Sequence, residues 1–194
     1  MESTLVEKLK YGALTLTFCT GLYLVTNRVT SGFENKFKMF LQWELEIPLM
    51  PCFIILYTSF YLLLVLGFLS CPTRHELKNL SYQMMLSSVI ACSCFLILPG
   101  ELGYTRMDST GVFQPIYGLL FMLDNPTNMF PSLHITLSYV TLFFILAQTK
   151  RLIWNTGLVL WFFGICASVI LVHQHHIFDI ATGLVLGVFI RRLM

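Results

Sequence analysis

Charge is what this chain has least of. Asp, Glu, Lys and Arg make up 11% of its 194 residues, against about 25% in soluble domains, which excludes an ordinary water-soluble fold. Formal net charge is only +2, and no nucleic-acid partner is expected. A disulfide framework is also missing. Of six cysteines, Cys19, Cys52, Cys92, Cys94 and Cys166 fall inside apolar stretches and Cys71 in a short loop, so their spacing says nothing about redox compartment. No small-residue cleavage pattern follows the first apolar stretch, where Thr26, Asn27, Arg28 and Val29 stand. That stretch reads as an uncleaved helix and not as a signal peptide.

What the chain has instead is hydrophobic length. Residues of the apolar class account for 56% of it, gathered in spans at 11–27, 47–70, 80–98, 132–148, 152–172 and 175–190. Most match the 17 to 25 residues that cross about 30 Å of hydrocarbon. The last is short and begins with a polar cluster. The expectation is a single domain over 1–194, all-α and integral to the membrane, with six transmembrane helices in a bundle.

Lysine and arginine accumulate in short cytoplasmic loops. With the amino terminus inside, that side holds Lys8, Lys10, Arg74, Lys78, Lys150, Arg151, Arg191 and Arg192, leaving Arg28, Lys36, Lys38 and Arg106 outside. Both termini are therefore expected in the cytoplasm. Segment 29–46 interleaves Phe33, Phe37, Phe40 and Leu41 with charges and ends near Trp43, which suits an interfacial helix between helices one and two, with no substrate role required. Segment 99–130, rich in Phe, Tyr, Met and Gly, reads as a long outer loop that lies over the site as a lid.

Histidine and aspartate are costly at membrane depth, so those beside apolar runs are functional candidates. His175 and Asp179 stand four apart, on one face of a helix, where a carboxylate can fix the imidazole tautomer and leave the other nitrogen as nucleophile or base. His134 comes from another helix and is placed to supply an acid. Pro131 and Ser132 mark a helix start, whose unpaired N–H groups and dipole favour phosphate oxygens, with the Ser132 hydroxyl as a further donor. On the expected topology these residues meet on the face opposite the cytoplasm.

These residues resemble the phosphatidic acid phosphatase type 2 and haloperoxidase superfamily of six-helix membrane phosphoesterases. That family's second motif ends in Pro-Ser-x-His, found here from Pro131 to His134, and its third is Ser-Arg, five residues, His, three residues, Asp, against Ser168, Val169, His175 and Asp179 here. The resemblance implies that His175 attacks phosphorus to form a phosphohistidine, Asp179 orients it and His134 protonates the leaving alkoxide, with no metal or other cofactor. It implies a membrane lipid as substrate. Pro-Ser-Leu-His with adjacent His175 and His176 looks most like the branch containing inositol phosphorylceramide synthase, whose members pass a phospho-head-group between lipids.

The chain departs from that pattern in its cations. Val169 replaces the third-motif arginine, and no Lys, six residues, Arg-Pro motif precedes the end of helix three. Arg106 is the one cation in the right stretch and is assigned to phosphate. A site poor in cations fits a phosphodiester better than a dianionic monoester. His173 and His176 are read as interfacial side chains, Gly183 and Gly187 as a helix-packing pair, and Glu101, Asp108 and Asp124 as solvated or capping residues. Two other readings stay open: a zinc hydrolase with His134, His175, Asp179 and His173 as ligands, and a non-enzymatic membrane protein.

Overall fold

The computed structural model describes residues 2–107 and 110–193; Asp108 lies outside them. It is all-helical, with no strand among the described residues. Its α-helices are α1 Leu5–Ser31, α2 Ile54–Thr58, α3 Phe60–Ser70, α4 Arg74–Ile97, α5 Gln114–Leu123, α6 Leu133–Gln148, α7 Leu152–Leu171 and α8 Ile177–Leu193. The apolar spans thus appear as helices, the second as a continuous run over Pro51–Ser70 in which a 3-10 turn leads into α2 and α3.

Three of these, Pro51–Ser70, Arg74–Ile97 and Leu152–Leu171, are long and apolar enough to cross a membrane. Helix α1 is longer, at 27 residues, but carries Glu7, Lys8, Lys10 and Arg28 towards its ends. Helices α6 and α8 have 16 and 17 residues, at or below the usual lower limit for a span.

Capping fixes where two of the long helices begin. Thr4 and Thr73 each accept the N–H three residues on, from Glu7 and Glu76, whose carboxylates reach back to the cap N–H. Each capping box satisfies two of the donors that a helix start leaves unpaired. The two starts are tied together by Ser3 N–H to the Pro72 carbonyl at 2.9 Å and by Arg74 to Glu7 at 2.7 Å, so α1 and α4 run parallel.

Helix α6 is the centre of the bundle and packs on α3, α4, α7 and α8. Its sequence is apolar or small on nearly every face, with Leu133, Ile135, Thr136, Leu137, Ser138, Val140 and Thr141 all buried, as a helix surrounded by others requires. Its crossing with α8 is unusually close. A Cβ on Gly183 would stand 2.7 Å from the Ser132 carbonyl oxygen, and one on Gly187 2.8 Å from the Tyr139 ring, so the glycine pair serves packing. The Thr136 hydroxyl crosses the same gap to the Gly183 carbonyl at 3.0 Å.

The connecting segments differ from the sequence expectation. No helix covers residues 32–41; only Gln42–Glu46 forms a short 3-10 turn. The spacing of Phe33, Phe37 and Phe40 is overridden by backbone pairing, with Phe37 N–H donating to the Pro99 carbonyl and Glu101 N–H to that of Phe37. Trp43 is exposed, as an anchor would be. Segment 99–130 is not purely a loop, because α5 forms within it, opened by Pro115 in its first turn.

Gly183→Ala is expected to destabilise the protein by about 1–3 kcal/mol through overpacking, seen as a lower thermal unfolding temperature in detergent. Gly157→Ala, at a helix position where a Cβ meets nothing within 4 Å, should leave that temperature unchanged or slightly raised.

Candidate functional site

The end of the bundle where α4 and α7 finish and α6 and α8 begin gathers the chemistry. Helix α7 stops at Leu171. The Val169 carbonyl then accepts N–H groups from both Gln174 and His175 at 3.0 Å, while His173 takes a positive φ of 57°. The Val169 side chain is buried in the apolar core, so this third-motif position contributes a carbonyl to the turn and no charge to the site.

His175 precedes α8, so the pair with Asp179 is not made on one helix face. Asp179 is the third residue of α8, and its Oδ2 accepts the His176 backbone N–H at 2.8 Å while standing 3.2 Å from His175 Nδ1. The same oxygen closes the helix start and orients the imidazole. In the tautomer that donates from Nδ1 to this carboxylate, Nε2 keeps its lone pair. Asp179 is 1% exposed and His175 7%.

Ser132 is the N-cap of α6, and Pro131 lies just outside the helix instead of opening its first turn. The Ser132 N–H donates to the Asp179 carbonyl at 3.0 Å, a direct backbone link between the two motifs. Its hydroxyl is buried and makes no hydrogen bond among the described residues. Two residues on, the His134 ring is stacked against Tyr57 at 4.3 Å and tilted against Phe60 at 4.0 Å, and its Nε2 has no partner among the described residues.

His134 and His175 line one cavity of about 200 Å³, walled by α1, α2, α3, α5 and α6. Leu120 and Leu123 of α5, within segment 99–130, form part of this wall. The wall is apolar apart from a polar end that includes Asp124, Asn128, Tyr23, Tyr57 and Tyr61, and it contains no Lys or Arg. The first-turn N–H groups of Leu133, His134 and Ile135 have no carbonyl one turn earlier in α6 to bond.

Asp124 closes α5, as a capping role implies, yet its carboxylate turns inward. Oδ1 accepts from the Tyr23 hydroxyl at 2.7 Å and from Asn27 Nδ2 at 3.1 Å. Burial raises its pKa, opposed by the Tyr23 hydrogen bond and the neighbouring His175 and Arg106. Asn27 also bonds the backbone of Asn125 in both directions, and Thr30 bonds the side chains of Thr127 and Asn128. Sequence reading missed this set, although Tyr23, Asn27 and Thr30 form a polar stripe at helical spacing in an otherwise apolar span.

Arg106 is not part of the cavity wall. Its guanidinium lies over the Phe121 ring and donates to the carbonyls of Phe121 and Asp124, the latter at 2.6 Å, and burial lowers its pKa. Glu101 faces solvent in a 3.8 Å ion pair with Lys38.

A second buried cluster holds the turn from behind. The His176 ring stacks between Phe40 and Tyr104, its Nε2 accepts the Gly103 N–H at 3.2 Å, and Nδ1 stands 3.3 Å from Glu44 Oε2. Glu44 is 1% exposed and accepts N–H groups from Leu41 at 2.9 Å and Ile177 at 2.8 Å, so it caps α8 from a remote segment. His173 stacks on Tyr104 and bonds the Ile47 carbonyl at 2.9 Å. No three His, Cys, Asp or Glu side chains among the described residues converge as metal ligands.

Desolvation lowers the pKa of His176 and of His173. An unfolded histidine titrates near 6.5, so below about that pH the unfolded chain binds more protons than the folded one and stability falls as pH drops. Unfolding temperature should fall between about pH 7 and 6, and His176→Gln, which keeps an acceptor for Gly103, should flatten that fall.

No curated protein and no solved structure matches the chain. Residues 108–194, a little under half of it, match the PAP2 superfamily, a stretch that contains Ser132, His134, His175 and Asp179 and supports phosphatase or phosphotransferase activity on lipid phosphates.

Proposed function

We propose that this protein is an integral membrane lipid phosphatase or phosphotransferase that works through a phosphohistidine on His175. The observation that carries the reading is the His175 Nδ1 to Asp179 Oδ2 contact at 3.2 Å beside a cavity shared with His134. A substrate phosphorus at the mouth of the α6 N-terminus meets the lone pair on His175 Nε2. The new N–P bond forms as the P–O bond to the leaving alcohol breaks, and His134 gives that oxygen a proton. In the second half, His134 takes a proton from the incoming hydroxyl, whose oxygen attacks phosphorus and releases His175. Asp179 stabilises the imidazolium character that develops on His175.

Phosphate oxygens are held in this scheme by the free N–H groups of α6 and by the Ser132 hydroxyl, which is buried without a partner among the described residues, with the helix dipole favouring negative charge. Arg106 acts at one remove, through the carbonyls that fix Asp124. The cation-free wall favours a phosphodiester, carrying about one negative charge, over a monoester dianion. That favours transfer of a phospho-head-group, as in the inositol phosphorylceramide synthase branch, over release of free phosphate. Helices α1, Pro51–Ser70, α4, α6, α7 and α8 are taken as six spans, with both termini cytoplasmic and the site on the opposite face.

His175→Ala should lower turnover of phospholipid by at least about 10³-fold, in chelator as without it, while the detergent-solubilised protein keeps its helical circular dichroism. His134→Ala should cost about 10²-fold with alkyl leaving groups and far less with an activated aryl phosphodiester, because only the basic alkoxide needs the proton. An equal loss on both substrates would remove His134 from the acid role.

A further inference from the structure

The cavity has an acidic wall that neither half of the reaction uses. Asp124 lines it together with His134 and His175, on the side formed by α1 and α5. Its Oδ1 is held by Tyr23 and Asn27, so the carboxylate has a fixed direction, while Oδ2 bonds nothing among the described residues. Tyr23, Tyr57 and Tyr61 line the same space and lie within electrostatic range of that carboxylate. The residues lining the cavity include no Lys or Arg, and Arg106 meets Asp124 only at its backbone carbonyl.

An anionic lipid head group has no partner here. Its phosphate would approach His175 with the Asp124 carboxylate across the cavity, and like charges in a poorly solvated space repel strongly. A head group that carries its own cation removes the conflict. An ammonium beside Asp124 compensates the carboxylate, and electron-rich phenol rings add cation–π attraction, the chemistry by which proteins hold quaternary ammonium groups.

We infer that Asp124, with the Tyr23, Tyr57 and Tyr61 rings, forms a cation subsite that takes the ammonium group of a zwitterionic phospholipid whose phosphate faces His175. The inference rests on the phosphotransfer reading for the role of the phosphate, and it names the class of donor lipid. Asp124 is then a specificity-determining residue and takes no part in bond making.

The test compares wild type with Asp124→Asn in detergent, on phosphatidylcholine and phosphatidylglycerol of identical acyl chains. The amide keeps an oxygen to accept from Tyr23 and Asn27 but loses the charge. Wild type should prefer phosphatidylcholine in kcat/KM, and Asp124→Asn should lose about tenfold on it alone, as expected for one charge-assisted contact. Equal losses on both lipids, or a wild type that prefers phosphatidylglycerol, would overturn the subsite.

Binding of dodecyltrimethylammonium, which carries no phosphate, to the His175→Ala protein separates the two ideas. Saturable binding weakened about tenfold by adding Asp124→Asn supports the subsite even if no lipid is turned over. Absent or charge-independent binding overturns it even if turnover stands. Tyr61→Leu, which leaves the bonds to α1 intact, should weaken ammonium binding and serves as the second variant should Asp124→Asn misfold.

Discussion

One backbone hydrogen bond carries most of the site's geometry: the Ser132 N–H to the Asp179 carbonyl, 3.0 Å long. It joins the first residue before α6 to the first turn of α8, and it exists only because Gly183 lets the two helices approach within less than a side chain's width. The first-turn N–H groups of α6, proposed to hold phosphate, and the imidazole before α8 belong to different segments of sequence. In the proposed reaction, a shift of even an ångström between these helices would separate the His175 nucleophile from the anion site, so the packing detail would govern the chemistry. The Thr136 hydroxyl donates to the Gly183 carbonyl across the same crossing and adds a second tie between the two helices.

Around that contact the structure spends buried polar groups on position. Asp179 closes the start of α8 and orients His175 with the same oxygen. Glu44 closes the same helix from a segment far away in sequence, and the His176 ring between Phe40 and Tyr104 keeps that segment in place. On the other side, Tyr23, Asn27 and Thr30 clamp the chain from Asp124 to Asn128, immediately before the Pro131 to His134 motif. Each makes at least one hydrogen bond, as most buried polar groups do, and together these bonds tie the connecting segments to the ends of the helices that carry the two histidines.

The sequence made the helical spans and the His134, His175 and Asp179 constellation legible because ionisable residues beside long apolar runs are conspicuous. It could not show how His175 and Asp179 meet: four-residue spacing suggests a helix face, whereas α8 begins after His175 and the contact is made through a capping turn. The aromatic spacing of Phe33, Phe37 and Phe40 suggested a helix, and pairing with residues 99 and 101 overrode it. Nothing local marked Glu44 as a cap for α8, since Ile177 and His176 stand more than a hundred residues on. Asp124 was legible only as a helix-ending acid, because its inward turn depends on Tyr23 and Asn27, about a hundred residues earlier. Arg106 looked like the missing cation and instead supports the wall from behind.

The central claim is a covalent bond between phosphorus and His175. The most direct measurement mixes purified protein with phospholipid, quenches in alkali, where phosphohistidine survives, and maps the adduct by mass spectrometry of the peptide containing residues 173–179. The account predicts a phosphoryl or phospho-head-group adduct on His175, and in His134→Ala the adduct should accumulate when an activated aryl phosphodiester replaces the phospholipid, because its leaving group needs no proton while the acceptor goes undeprotonated. An adduct on another residue, or none under conditions of active turnover, would contradict it.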